Sequence, residues 1–220
     1  MGGGARGPVV VIGAGGHAKV CIELLRAGGR EVVGVLDADP TPRTVVGAPV
    51  IGDDSALPRL RAEGIEDAFV ALGGNALRAR VGAAARAAGF RLAEAVHPGA
   101  AVSPTARLGE GVAIMAGVCL NAETRVGDLA IVNTNASVDH DGDLGEACHV
   151  APGSALAGNV TVGARAFLGV GCCVIPGVTV GADTTVGAGS VIVRDLPAGV
   201  LALGAPARVV RELQPRTVHA

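Results

Sequence analysis

The chain divides into two halves that space their hydrophobic residues with different periods. In the first half, residues 8–96, apolar runs typical of buried strands alternate with amphipathic segments typical of helices. Strands separated by helices indicate a small parallel sheet with helices packed on it. The pattern predicts strands over 8–13, 32–37 and 68–73, and helices over 17–28, 54–64 and 75–89.

The second half repeats with a period of six. From Val102 to Ile192 an aliphatic residue recurs at every sixth position through 16 consecutive repeats, without an insertion. A residue that is usually small follows four positions later, and glycine often occupies the second position of the repeat. Short strands that point an aliphatic residue inward, joined by tight corners, can stack around one shared apolar column. The period therefore predicts a parallel β-helix built from hexapeptide repeats.

Two histidines and three aspartates fall in one stretch of this repeat, VNTNASVDHDGDLGEACHV. The register places His140 and His149 outside the inward positions, whereas Cys148 occupies the small inward position. A thiol in that position is interpreted as a packed core residue and not as a nucleophile. His140 is then either a general base oriented by Asp139 or Asp141, or part of a hydrated corner. The residues alone leave both interpretations open.

A zinc site is a third interpretation of these histidines. Some hexapeptide-repeat proteins are zinc carbonic anhydrases, whose metal needs three histidines. Here only His140 and His149 lie in the repeat, since His97 precedes it and His219 lies at the end of the chain. The sequence therefore predicts no bound metal.

The segment GAGGHA, residues 13–18, follows the first predicted strand and opens the first predicted helix. Such a turn can present backbone N–H groups and a helix N-terminus to an anionic ligand, and Asp37 after the next strand can accept hydrogen bonds from hydroxyls. A turn without a ligand is the alternative. NAD is disfavoured because this half lacks the second mononucleotide-binding unit that a dinucleotide site normally uses. We therefore expect a nucleotide-containing ligand.

Composition and charge narrow the class further. The 220 residues carry a formal net charge of −2 and include three phenylalanines but no tryptophan or tyrosine. Nucleic acids and anionic membranes are therefore not expected as partners. No apolar run is long enough to span a bilayer, Met1–Gly7 lacks the pattern of a signal peptide, and the five cysteines show no CxxC spacing. These features predict a soluble, cytoplasmic protein that binds small molecules.

Several motifs in order carry a resemblance to a known family: GAGGHAKV, ALGGNALR, HPGAAVSPTA, NTNASVDHD and GAPAR. They resemble the bacterial sugar acetyltransferases of the sialic-acid O-acetyltransferase type, especially the N-acetyltransferases of nucleotide-linked 4-amino sugars. The resemblance implies a Rossmann-like α/β domain over residues 1–98 that binds the nucleotide sugar. It also implies a left-handed parallel β-helix over residues 99–220, with a C-terminal tail, that binds acetyl-CoA. A cytoplasmic homotrimer active in lipopolysaccharide O-antigen biosynthesis is implied as well.

The resemblance also implies roles for individual residues. His140 would take a proton from the sugar amine during direct acetyl transfer, with Asp141 supporting it and Asp139 as a rival. The backbone N–H of Gly158, at the CoA site, would stabilise the oxyanion. The other implied site residues are Gly15, Gly16, His17, Asp37, Gly73 and Asn133 for the nucleotide sugar, and His149, Val170, Ala188 and Arg208 for CoA.

The sequence leaves alternatives open for the substrate and for the type of activity. Ala38 stands where relatives that use UDP sugars carry a second acid, so a GDP-linked sugar is preferred to a UDP-linked one. An O-acetyltransferase of the same fold would acetylate a hydroxyl in place of an amine. A non-catalytic nucleotide-sugar-binding scaffold would bind without releasing CoA, and an NAD-dependent oxidoreductase would bind NAD.

Overall fold

A computed structural model describes residues 7–214 of the protein. The predictions for the segment before Gly7, for His219 and for the end of the C-terminal tail therefore lie outside the described residues. Among the helices of residues 7–214, none combines the length and the hydropathy that crossing a membrane requires.

The N-terminal half contains the three predicted strands and a helix within each of the three segments predicted as helical. Its six-stranded sheet has the order β3-β4-β2-β1-β5-β6, and every pairing is parallel except that of β3 with β4. The strands are β1 (Val9–Ile12), β2 (Val32–Leu36), β3 (Thr44–Val45), β4 (Ala48–Gly52), β5 (Asp67–Val70) and β6 (Arg91–Leu92). The helices are α1 (Gly16–Ala27), α2 (Leu57–Ala62) and α3 (Asn75–Ala87), with a 3-10 helix over Asp54–Ala56.

The segment predicted as one helix over 54–64 is divided for a local reason. Asp53 caps the 3-10 turn, since its carboxylate accepts the N–H of Ser55 at 2.9 Å. Pro58 lies in the first turn of α2, where its missing N–H has no intrahelical partner to lose. The proline therefore starts α2 and does not interrupt a longer helix.

The second half forms a left-handed parallel β-helix with three sides, as predicted. Its first side contains β7 (Ala95–Val96), β10 (Ala113–Ile114), β13 (Ile131–Val132), β16 (His149–Val150), β19 (Phe167–Leu168), β22 (Thr185–Val186) and β24 (Val200–Leu203), with β25 (Arg208–Glu212) antiparallel to β24. Its second side contains β8 (Ala101–Val102), β11 (Cys119–Leu120), β14 (Ser137–Val138), β17 (Ala155–Leu156), β20 (Cys173–Val174) and β23 (Val191–Ile192). Its third side contains β9 (Arg107–Leu108), β12 (Arg125–Val126), β15 (Asp143–Leu144), β18 (Thr161–Val162) and β21 (Thr179–Val180).

The aliphatic residues of the repeat form the column inside this β-helix. Every one of them from Ile114 to Ile192 is buried, and the most exposed, Val174, shows only 4% of its surface. Val102 and Leu108 are half-buried because they belong to the first coil, which no earlier coil covers. Full burial of one such side chain contributes about 1.5–3 kcal/mol, so the column supplies much of the stability of this half.

The corners of the β-helix share one backbone conformation. A positive φ recurs at every sixth residue from Gly111 to Gly189, and eight of these 14 corners carry a residue other than glycine. One of the eight is Asp141, with φ 58°. Aspartate and asparagine tolerate this left-handed region better than most side chains do.

Arg78 on α3 joins the two halves of the molecule. Its side chain is buried, with only 1% of the residue exposed. Nε donates to the carbonyl of Leu129 at 2.8 Å, and Nη2 donates to the carbonyl of Ala147 at 2.8 Å, both on corners of the β-helix. Nη1 donates to the carbonyl of Leu72 at 2.9 Å in the α/β half. The described partners of this guanidinium are carbonyl and amide oxygens, and burial lowers its pKa to about 10.

The predicted boundary between the two domains, after residue 98, stays a prediction. The first strand that pairs within the β-helix is β7, which begins at Ala95 and lies beside β10. The end of α1 also contacts β7, so the two halves adjoin closely at this point.

Candidate active site

His140 lies on the corner between the second and third sides, in the turn that joins β14 to β15. Its side chain is 54% exposed, and its Nδ1 lies 2.8 Å from Oδ2 of Asp141. This hydrogen bond to a carboxylate raises the pKa of His140. Because Nδ1–H donates to Asp141 in the neutral ring, Nε2 keeps a free lone pair and is the basic atom.

The two aspartates that flank His140 have different hydrogen-bond partners. Asp141 is the one that contacts the imidazole. Oδ1 of Asp139 accepts from Nδ2 of Asn121 at 2.8 Å and from the backbone N–H of His140 at 2.8 Å. These bonds lower the pKa of Asp139, so its carboxylate braces the corner in the ionised form.

Gly158 lies one coil above His140 and packs against its ring. A Cβ at this position would lie 2.5 Å from both Cε1 and Nε2 of the imidazole. The φ of Gly158 is not in the left-handed region, so its backbone conformation does not require glycine. The space taken by the ring of His140 does. Within residues 7–214, no hydrogen-bond acceptor is paired with the N–H of Gly158. A glycine whose N–H has no acceptor in the described residues therefore packs against the edge of the imidazole that carries Nε2.

His149 lies outside the core of the β-helix, in keeping with its register, but it does not face solvent. The α/β half covers the first side at this level, and only 8% of His149 is exposed. Its ring meets Phe167 edge to face at 5.2 Å and lies 6.4 Å from the ring of His17, measured between centroids. Burial, with a smaller effect from the cation of Arg78, lowers the pKa of His149 to about 3. The ring is therefore neutral at physiological pH.

Asn133 and His149, which were predicted for different ligands, contact each other. Nδ2 of Asn133 lies 3.1 Å from Nε2 of His149. Oδ1 of Asn133 accepts the backbone N–H of Thr134 at 2.8 Å, which fixes the orientation of the amide. Asn133 lies on the corner that precedes β14, whereas His140 lies on the corner that follows it. One chain therefore carries these two groups of site residues on different corners.

The glycine turn lies at the carboxyl edge of the parallel sheet. Gly15 and Gly16 are exposed at the start of α1, and Oδ2 of Asp37 accepts the N–H of Ala14 at 2.9 Å. Oδ1 of Asp37 lies 3.0 Å from Nη2 of Arg43. Burial raises the pKa of Asp37, but hydrogen bonds from Asp39, Ala14 and Arg43 outweigh it, and the net pKa is lowered. Asp37 is therefore an ionised group that holds both the turn and the following loop.

The remaining predicted residues lie at two places. Gly73 is exposed after β5, and its carbonyl accepts from Nη1 of Arg78 at 3.2 Å. Val170 and Ala188 lie one coil apart on the corner between the first and second sides, where Val170 is 55% exposed. Arg208 begins β25 and is exposed beyond them. We refer to these three exposed residues as the open wall.

Two residues at the site were missed in the sequence. Arg78 lies within ALGGNALR, but its helical pattern gives no sign that a cation is buried there. Arg43 lies in a loop without periodicity, six residues after Asp37, and no motif marks it. Within the part of the chain that the structure describes, no three side chains of His, Cys, Asp or Glu gather as a metal site would require.

A left-handed β-helix with a histidine–aspartate pair on one corner, joined to an α/β domain with a glycine turn, defines an acyltransferase of the hexapeptide-repeat class. The sequence profile of the PglD N-terminal domain matches residues 8–84. PerB from Caulobacter crescentus, solved in complex with CoA and GDP-perosamine, is 62% identical with a TM-score of 0.90, over 93% of this chain and 98% of that one.

The acetyltransferase domain of PglB from Neisseria gonorrhoeae, solved with acetyl coenzyme A, is 40% identical with a TM-score of 0.88, over 94% of this chain and 100% of that one. WeeI from Acinetobacter baumannii, at 22% identity and a TM-score of 0.83, shares the fold over 93% of this chain and 100% of that one. The chain therefore belongs to the family of sugar N-acetyltransferases that join a PglD N-terminal domain to a left-handed β-helix. The fold, the family and the enzyme class predicted from the sequence are confirmed.

Proposed function

We propose that the protein transfers the acetyl group of acetyl-CoA directly to the 4-amino group of GDP-perosamine, with His140 as general base. The observation that carries this proposal is the corner where the ring of His140, oriented through Nδ1 by Asp141, packs against Gly158, whose N–H has no acceptor among residues 7–214. The relative from Caulobacter crescentus, 62% identical and solved with CoA and GDP-perosamine, supports the choice of ligands.

The groups at this corner account for every bond and proton of the proposed reaction. The neutral amine attacks the thioester carbonyl, a C–N bond forms, and Nε2 of His140 takes the proton that the nitrogen loses. The carbonyl oxygen becomes an oxyanion, which the N–H of Gly158 stabilises. The C–S bond then breaks, and the proton on His140 passes to the departing CoA thiolate. The products are an amide and free CoA.

Cys148 supports direct transfer and not an acyl-enzyme. Its thiol is completely buried inside the β-helix, and burial raises its pKa to about 12. The thiolate is the nucleophilic form of cysteine, so this side chain is both inaccessible and unreactive.

The nucleotide is assigned to the α/β half. Ligands of open parallel sheets bind at the carboxyl ends of the strands. At that edge the exposed turn of Gly15 and Gly16 and the N-terminus of α1 suit a diphosphate, and Asp37 suits a ribose or base. Val170, Ala188 and Arg208 form the wall assigned to CoA, and His149 and Asn133 are assigned to the region where the two ligands meet.

We propose a homotrimer because one chain carries the two groups of site residues on different corners. A neighbouring subunit packed against the second side would bring His140 of one chain towards the CoA wall of another. The outward strand residues of this side are uncharged and, except for Val191, small, namely Ala101, Cys119, Ser137, Ala155, Cys173 and Val191. A cytoplasmic location and a role in O-antigen biosynthesis stay predictions.

The test is CoA release from acetyl-CoA with a panel of nucleotide-linked amino sugars, followed by mass spectrometry of the product. We expect release with GDP-perosamine and slower release with UDP-4-amino sugars. An amide survives mild alkali, whereas the ester made by an O-acetyltransferase does not. Binding without release of CoA would indicate a scaffold, and binding of NAD would favour an oxidoreductase.

Gly158→Ala is expected to lower kcat by about tenfold or more, because displacement of a catalytic group by about 1 Å costs up to about 100-fold. The new Cβ would push the exposed ring of His140 out of place, while the fold is kept, since alanine occupies the same repeat position at Ala122 and Ala164. Steady-state kinetics with thermal melting tests this. Ala164→Ser, on another corner, is the control. An unchanged kcat in Gly158→Ala would contradict the packing of Gly158 against His140 in the working enzyme.

Arg43→Ala is expected to weaken GDP binding about fivefold, the equivalent of one ordinary hydrogen bond. Arg43 holds its loop by donating to Asp37 and to the carbonyls of Asp39 and Thr41, the latter two at 2.7 and 3.1 Å. Titration calorimetry with GDP measures the effect, with Arg59→Ala as a surface control. Equal GDP affinities in Arg43→Ala and Arg59→Ala would show that the nucleotide does not use this loop.

A further inference from the structure

Two imidazoles meet where the α/β half covers the first side of the β-helix. His17 lies in the first turn of α1 and His149 on β16, with ring centroids 6.4 Å apart. Within residues 7–214, one nitrogen of each ring, Nε2 of His17 and Nδ1 of His149, is buried without a hydrogen-bond partner. A buried polar atom left unpaired is destabilising and is uncommon in native proteins. Two such atoms in one interface call for a common explanation.

The hydrogen bonds around His149 determine which of its nitrogens carries the proton. Oδ1 of Asn133 accepts from Thr134, so the amide directs its Nδ2 donor at Nε2 of His149. Nε2 must therefore accept, and in the neutral ring the proton resides on Nδ1. Burial keeps the ring neutral because it lowers the pKa of His149. The unpaired atom of His149 is thus an N–H donor.

His17 supplies the complementary atom. Burial, and then the cation of Arg78, lowers the pKa of His17, so this ring is also neutral. A neutral imidazole protonated on Nδ1 offers the lone pair of Nε2 as an acceptor. In that tautomer, Nε2 of His17 is the acceptor that the Nδ1–H of His149 lacks among residues 7–214.

We propose that His17 is a positioning residue that acts through His149: one buried water accepts the Nδ1–H of His149 and donates to Nε2 of His17. This contact fixes the His149 ring with Nε2 towards Asn133. The backbone of His17 belongs to the glycine turn. The contact with His149 therefore connects the turn assigned to the nucleotide with the region assigned to acetyl-CoA. The functional part of the inference rests on the proposed function.

Nitrogen-15 NMR of histidine-labelled protein tests the contact without any substrate. In the wild type, His149 is expected to show a protonated Nδ1 and an unprotonated Nε2 throughout the neutral pH range. His17→Phe keeps an aromatic ring but removes the acceptor, and it is expected to give a mixture of both His149 tautomers. His17→Gln keeps an acceptor oxygen and should restore the single tautomer. His97→Phe, in a different loop, is the control.

Kinetics provides the second readout. His17→Phe is expected to raise the KM for acetyl-CoA about five- to tenfold, the value of one hydrogen bond, while the KM for the nucleotide sugar changes less than about twofold. His17→Gln should recover most of the loss. An unchanged His149 spectrum in His17→Phe would overturn the inference, as would a rise confined to the KM for the nucleotide sugar. If the wild type acetylates no amino sugar, the proposed function fails while NMR still decides the histidine contact.

Discussion

Replacement of His140 by asparagine is expected to lower kcat by about 10²- to 10⁴-fold, the usual contribution of a positioned general base. Asparagine can still hydrogen-bond to Asp141, but it has no lone pair basic enough to take the proton of the amine. The side chain is 54% exposed, so its removal should leave the melting temperature unchanged. Steady-state kinetics and thermal melting of the same preparation measure both effects, with His97→Asn as the matched control. A loss of activity accompanied by an equal loss of folded protein would not support a catalytic role.

The pH dependence of the reaction tests the role of Asp141. Protonated His140 cannot accept a proton, so kcat/KM should fall as the pH drops through the pKa of His140. The hydrogen bond to Asp141 raises this pKa above the ordinary value of about 6.5. Asp141→Asn removes the carboxylate, lowers the pKa, and should move the acidic limb of the profile to lower pH. A limb that stays in place would assign the support of His140 to another group.

Arg78→Met is expected to destabilise the protein by about 2–4 kcal/mol. Methionine fills a similar volume but leaves the carbonyls of Leu129 and Ala147 without their donors, and each unpaired buried group costs about 1–3 kcal/mol. Part of this loss is offset because a buried cation no longer has to be desolvated.

Urea unfolding followed by circular dichroism measures the effect of Arg78→Met. Arg80→Met is the control, since Arg80 lies on the exposed face of the same helix α3. Equal midpoints for the two variants would contradict the view that Arg78 holds the two halves together.

The fold could be predicted from the sequence because its strongest determinant is a local repeat. Each aliphatic residue from Val102 to Ile192 occupies the same place in a six-residue unit, so one register describes the whole second half. The hairpin of β3 and β4 was not predicted, for a physical reason. Its turn has positive φ at Val46 and Gly47, as a type I′ turn requires, but valine at the first position is not the usual signal for that turn.

The site was predictable only in part, because its assembly depends on contacts between distant segments. The register showed that His140 lies on a corner, but it could not choose between Asp139 and Asp141. The left-handed backbone at Asp141 accompanies its contact with the ring, and the repeat alone does not reveal that conformation. The burial of His149 depends on the α/β half lying over the first side, which no local pattern encodes. The same packing buries Arg78.

The most direct test of acetyl transfer through His140 is a single-turnover reaction of the enzyme with acetyl-CoA and GDP-perosamine, with the nucleotide sugar and the protein both followed by mass spectrometry. The wild type is expected to release CoA only when the sugar is present, to form an alkali-stable amide, and to carry no acetyl group itself. His140→Asn should form the same amide at least about 100-fold more slowly. Equal rates in the two proteins, or an acetylated protein formed before the product, would contradict direct transfer with His140 as the base.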